Sequence, residues 1–146
     1  MIKNIIFDLD GVLVDTRDIH YKALNKAILK VRAKPINFQD HIQKFDGLPT
    51  IEKLKLLNSQ KRFPKKLNKK IIKWKKFYTN QLLKKNINFD KKKFNLFFKL
   101  SKKYNLAIAT NAIRETLDIC LKNMKLKKFV KTSLSNEDVK NSKPHP

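Results

Sequence analysis

The 146-residue sequence holds one cysteine, four arginines and no long apolar run. A single thiol, Cys120, excludes an internal disulfide and a cysteine-ligated metal cluster. Its place in the helix-like stretch 117–124 reads as a small buried apolar side chain rather than a reactive nucleophile. No window reaches the about 18 uncharged apolar residues of a membrane span, and the N-terminus lacks the charged, apolar and small-residue order of a secretory signal. The expectation is a cytoplasmic chain with no membrane partner. Acid is scarce as well: 12 Asp and Glu stand against 35 Lys and Arg, a net charge of +23. Of the basic residues only Arg17, Arg32, Arg62 and Arg114 carry the guanidinium that base-edge readout favours, and the lysines run along the whole chain. Specific nucleic-acid binding is therefore not expected. The charge reads as a solvated lysine surface whose field attracts an anionic, phosphorylated small molecule.

What is present concentrates at the start, in Ile5-Ile6-Phe7-Asp8-Leu9-Asp10-Gly11-Val12-Leu13-Val14-Asp15-Thr16. An apolar run ends in two acidic residues two positions apart and then a glycine. Alternation along an extended strand would put Asp8 and Asp10 on one face. Neighbouring carboxylates repel, so the pair implies a cation or a split in pKa. Gly11 lets the chain turn sharply at once.

A chain of this length forms one ordinary domain that buries about 70% of its unfolded surface. After the first strand, residues 16–32 carry Ile19, Ala23, Ala27, Ile28 and Val31 on one helical stripe, with Asp15 or Thr16 as cap. A short helical piece at 38–45 follows, then a turn at Asp46-Gly47-Leu48-Pro49, and a helix capped by Thr50. A longer helix from Pro64 to about Lys85 would bury Leu67, Ile71, Trp74, Tyr78 and Leu82. Alternation then returns. Asp90 caps a helix carrying Phe94, Phe97, Phe98 and Leu100, and a strand follows at 106–109. A helix over 113–124 and a strand over 129–134 lead to a polar turn, Lys143-Pro144-His145-Pro146. Strand, helix, strand, helix indicates an α/β class with a parallel sheet, interrupted by an inserted all-helical block. In such a sheet the carboxyl ends of the strands form a common crevice, where Asp8, Thr110 and Lys143 would converge.

The string Phe7-Asp8-Leu9-Asp10-Gly11-Val12-Leu13-Val14-Asp15-Thr16 resembles the first motif of the haloacid dehalogenase superfamily. Ile108-Ala109-Thr110-Asn111 resembles its second motif and Lys143-Pro144-His145-Pro146 its third, in the same order. The resemblance implies a Rossmann-like core of residues 1–15 and 88–146, with three strands present, and a helical cap of residues 16–87. It implies a phosphatase that uses Mg2+. Asp8 would be the nucleophile and a metal ligand, and Asp10 the general acid and base, with its carbonyl on the metal. Thr110 and the amide of Asn111 would hold the phosphoryl group, and Lys143 would neutralise charge.

The stretch from Asp15 to Ala23 resembles the start of the cap in the beta-phosphoglucomutase and phosphoglycolate phosphatase group, with His20 matching a histidine near the acid/base aspartate. Gly47 and Thr50 fall where the mutases carry a glycine and a phosphate-gripping arginine. A neutral Thr50 favours a phosphatase acting on a small phosphorylated metabolite over a phosphomutase. The superfamily's fourth acidic motif, which completes the magnesium site, has no counterpart up to Pro146, so the chain reads as C-terminally incomplete and weakly active. A non-catalytic remnant or basic binding module is the remaining alternative.

Overall fold

The computed structural model describes residues 2–145; Pro146, the last residue of the third-motif turn, lies outside them. Contacts divide the chain into two units, Met1–Thr16 with Leu82–Pro146, and Arg17–Gln81.

The first unit is built on a parallel sheet in the order β1-β2-β3, with β1 at Asn4–Phe7, β2 at Asn105–Ala109 and β3 at Val130–Leu134. Phe7 lies beside Ile108, and Ile108 beside Ser133, so the three strands end at a common level. Central β2 buries Leu106 and Ile108, whereas edge strand β1 leaves Ile6 69% exposed. Helix α5, Lys91–Ser101, precedes β2, and α6, Arg114–Asn123, joins β2 to β3. Asp90 caps α5 as expected, accepting from the amides of Lys92 and Lys93 at 2.9 and 3.1 Å. Cys120 is buried in α6, and burial pushes its thiol up to about 12, as suits a packing residue.

The second unit is helical: α1 at Arg17–Lys30, a short α2 at Phe38–Asp40 running into a π-helical turn at His41–Phe45, α3 at Thr50–Ser59, and α4, which begins at Asn68. Its core gathers Leu24, Ile28, Phe45, Leu54, Leu57 and Ile71. Helix α4 continues to Asn86, and its last turn belongs to the first unit. There Leu83 is buried and Asn123 donates to the carbonyl of Ile87 at 2.9 Å.

Several local expectations shift. Thr50 is the first helical residue, after Pro49, and its side chain caps nothing. Pro64 precedes a 3-10 turn at Lys65–Leu67 instead of opening α4, and Leu83, not Leu82, is the fully buried residue of α4's end. Phe129 ends a 3-10 turn, Lys127–Phe129, ahead of β3. On α5 only Phe97 is buried; Phe98 is 46% exposed and Phe94 half-buried. A helix that flanks a sheet on one side has room in the core for one stripe, and three phenylalanines within five positions exceed it.

The shortage of glycine is felt at the helix ends. Helices α1, α3 and α6 each end with a residue at positive φ: Arg32 at 58°, Lys61 at 54° and Lys125 at 57°. The next amide closes back on the helix each time, from Ala33 to Ile28, Arg62 to Leu57 and Leu126 to Leu121, at 3.0 to 3.2 Å. This is the position that favours glycine, and an L-residue there costs about 1–2 kcal/mol. A cation facing the carboxyl end of the helix dipole recovers about 0.3–1 kcal/mol of it. Lys61→Gly is expected to stabilise the chain by about 0.5–1 kcal/mol after the added unfolded-state entropy. That is a melting temperature higher by a few degrees in a thermal melt; a lower one contradicts the assignment of strain.

The loop after β3 is held by Asp138, whose Oδ2 accepts the Ser135 amide at 2.7 Å and the Ser135 hydroxyl at 2.5 Å and pairs with the Arg114 guanidinium. Arg114 also donates to the Ser133 carbonyl at 2.9 Å, and its own amide donates to Glu137 at 2.8 Å. The Ser135 bonds first, then Arg114, hold the Asp138 carboxyl below its usual 3.8. A depressed carboxyl contributes stability above its unfolded pKa of about 3.9 and loses it as pH falls through the lower folded value. The stability difference between the wild type and Asp138→Asn should therefore be full near neutrality and vanish in acid, as read from denaturant midpoints against pH. A difference independent of pH would show that charge plays no part.

Candidate active site

At the end of β1 the backbone leaves the sheet, and Gly11 takes φ 76°, with its amide bonded to the Val14 carbonyl at 2.8 Å. The amides of Leu13 and Val14 both return to the Leu9 carbonyl, at 2.9 and 3.0 Å, which makes a tight loop around Asp10. Asp8 stands just past the strand. Its Oδ1 accepts the Leu9 amide at 2.7 Å and faces the Lys143 Nζ at 2.9 Å. Both side chains keep about two-fifths of their surface open, 44% for Asp8 and 40% for Lys143.

Asp10 is the more enclosed of the two carboxylates. It accepts a hydrogen bond from the Thr16 hydroxyl and interacts with Thr110 and Lys143. Burial foremost, and the Asp8 charge beside it, raise its pKa above the usual 3.8 against the lowering effect of those partners. Adjacent carboxylates in unlike environments are how one site obtains an anion and a proton donor together.

The second and third motifs meet this pair from β2 and the loop after β3. Thr110 is buried; its amide donates to the Leu134 carbonyl at 3.0 Å, and its Oγ1 accepts the Ala112 amide at 3.0 Å. The Asn111 side chain clamps the backbone of Lys143, accepting its amide at 3.0 Å and donating to its carbonyl at 3.1 Å. The Lys143 ammonium also donates to the Ala109 carbonyl at 2.9 Å, which aims it between the ends of β1 and β2. Asp8, Asp10, Thr110, Asn111 and Lys143 are thus brought together, as the topology required. Thr16, expected only as a helix cap, proves to be a partner of Asp10.

Among the described residues there is no group of three or more His, Cys, Asp and Glu that could hold a metal ion. The donors at hand are hard oxygens. Both Asp8 contacts fall on Oδ1, which leaves its second carboxylate oxygen, and the Asp10 carbonyl adds another. These are oxygens of the kind magnesium takes, but one carboxylate and one carbonyl leave most of an octahedral shell to water and substrate phosphate, a weak hold without the fourth acidic motif.

The helical unit holds the other three expected residues. Gly47 turns at φ 74°, after Asp46, which pairs with Arg17 at 3.0 Å. The Thr50 hydroxyl accepts from the Lys75 ammonium at 2.7 Å, so a cation does stand at this position, supplied from α4. Only the fold reveals it, because Lys75 lies 25 residues away in sequence. His20 is half-buried with its Nδ1 unpartnered; burial first, then Lys75, Lys53 and His41, push its pKa down to about 3. His41 and Lys53 are buried too, and burial lowers both, while Asp46 works against the shift in each. Neither residue is singled out by the sequence pattern.

The chain matches the haloacid dehalogenase-like hydrolase family over residues 5–146. It is 32% identical to the phosphorylated carbohydrates phosphatase of Thermotoga maritima over 149 residues, 97% of this chain and 65% of that protein. The chain spans about two thirds, 65%, of the length of each of the curated relatives it matches. Its fold is that of a predicted phosphoglycolate phosphatase from Haemophilus somnus, at TM-score 0.82 and 21% identity, covering 99% of this chain and 67% of that one. It is also similar to the HAD-hydrolase YfnB of Bacillus subtilis bound to magnesium, at TM-score 0.62 and 16% identity, covering 94% of this chain and 66% of that one. With its three motifs gathered at the strand ends and a family match over nearly its whole length, this chain belongs to the haloacid dehalogenase-like hydrolases.

Proposed function

We propose that the protein hydrolyses phosphomonoesters of small phosphorylated metabolites with magnesium, through a phosphoryl group carried on Asp8. The observation that carries this reading is the pairing of an open Asp8 carboxylate with Lys143 at 2.9 Å beside an Asp10 whose pKa is raised. A carboxylate attacks a phosphate dianion only where cations offset the repulsion, and Lys143 stands at that point. Magnesium, held by the Asp8 carboxylate and the Asp10 carbonyl, would supply further charge neutralisation.

An Asp8 oxygen forms a bond to phosphorus as the bond from phosphorus to the substrate oxygen breaks. The protonated Asp10 carboxyl passes its proton to that leaving oxygen, and the alcohol departs. Asp10, now a carboxylate, takes a proton from water as the water oxygen attacks phosphorus. Asp8 is released with its carboxylate restored, and inorganic phosphate leaves. Thr16 orients the Asp10 carboxyl. The Thr110 hydroxyl and the Asn111 amide hold the oxygens of the moving group, while the Asn111 side chain fixes the lysine loop. The 32% identical phosphatase of phosphorylated carbohydrates supports sugar phosphates as the substrate class, and the 17–81 unit would act as the cap that selects among them.

The test is single-turnover labelling with acetyl phosphate and Mg2+, read by mass spectrometry of the peptide that contains Asp8. One phosphoryl group should appear on the wild type and be absent from Asp8→Asn. Asp10→Asn should accumulate the adduct, because acetate leaves without an acid while hydrolysis lacks its base. Its turnover of alkyl phosphates should fall by about 10²–10⁴-fold. Labelling that survives Asp8→Asn would end the proposal.

A further inference from the structure

Phenylalanines of α5 that patterning assigns to the core form, with two neighbours, a strip on the surface of the first unit. Phe89 meets Phe94 with ring centroids 5.3 Å apart, Phe94 meets Phe129 at 5.1 Å, and Phe129 meets Phe98 at 6.2 Å, all edge to face. Phe89 and Phe98, at the two ends, are each 46% exposed. Three lysines lie over these rings, Lys102 from the end of α5 and Lys125 and Lys128 from the segment between α6 and β3. The Lys125 ammonium is 5.2 Å from Phe89, Lys128 is 4.8 Å from Phe94 and 5.2 Å from Phe129, and Lys102 is 4.3 Å from Phe98. All three lysines are exposed. The acidic neighbour, Asp90, spends its carboxylate on the α5 amides and on Lys93.

The geometry points to this strip as a binding surface for single-stranded nucleic acid, sequence-tolerant and separate from the phosphate chemistry at the strand ends. Aromatic faces at intervals alongside cations are what an unpaired strand requires, bases stacking on the rings and phosphates meeting the ammonium groups. Each lysine exchanges a ring face for a phosphate, an exchange favoured by the release of counterions from the strand. The three cations are lysines and none is arginine, so the strip offers point charges without bidentate base readout. A lipid surface fits less well, because Phe94 and Phe129 are half-buried and only the two end rings, Phe89 and Phe98, stand far enough out to insert. The net charge of +23 supplies the long-range attraction.

The experiment is fluorescence anisotropy of a labelled oligothymidylate of about twenty nucleotides, titrated with the full chain across a salt series. Binding should favour the single strand over a duplex of equal length. Phe98→Leu, which keeps apolar bulk and removes the ring, should weaken it about five-fold or more, and Phe98→Trp should restore it. The triple change Lys102→Glu, Lys125→Glu and Lys128→Glu should flatten the log affinity against log salt slope by about 2. The charge-matched triple Lys65→Glu, Lys66→Glu and Lys69→Glu, in the helical unit, should leave that slope nearly unchanged. Equal losses from the two triples, indifference to Phe98→Leu, or binding to phosphatidylserine vesicles without binding to the oligonucleotide would overturn the proposal. Circular dichroism of each variant separates loss of fold from loss of the surface.

Discussion

The structure depends on one electrostatic constraint at the carboxyl ends of the strands: two carboxylates two residues apart need positive charge close by. Lys143 meets Asp8 at 2.9 Å, and the fold around it keeps the lysine there. The Asn111 side chain grips its backbone from β2, and the Arg114, Ser135 and Asp138 network ties the loop after β3 to the start of α6. Those loops are exposed and would otherwise wander. The ladder that brings three strands to a common level turns residues more than a hundred positions apart into one site.

The two carboxylates are treated unequally by the fold. Asp8 is open to solvent and paired with a cation, whereas Asp10 is enclosed by the Gly11 loop and bonded by Thr16. Burial raises the Asp10 pKa while Asp8 stays beside its lysine. Two identical side chains thus come to stand in unlike surroundings through the turn that separates them, which is the difference that the proposed nucleophile and proton donor rest on.

Much of this was legible in the residues. The apolar run into Asp-x-Asp-Gly, the short strand ending at Thr110 and the lysine before proline placed Asp8, Asp10, Thr110 and Lys143 at one end of the sheet without any contact being known. The element order was equally readable, since strand and helix periods differ. Less readable was how much each element buries. Phe94 and Phe98 share the apolar character of Phe97, yet α5 offers the core only one stripe, and the surplus rings lie outside under Lys128 and Lys102. The lysines likewise look scattered in sequence, and only the packing of α5 against the segment before β3 gathers three of them.

By itself, the order of residues determined the α/β class and the convergence of three motifs, because strand and helix periods and strand-end geometry are local rules acting on a parallel sheet; the acidic pair, expected on one face of a strand, lies past β1 instead, with Asp10 in the Gly11 turn. Tertiary structure alone decided which carboxylate is enclosed, that Thr16 serves Asp10, and that Lys75 brings a positive charge to Thr50. It also buried His41 and Lys53. These depend on distances between segments far apart in sequence, and burial and Coulomb interaction act through space without regard to sequence separation.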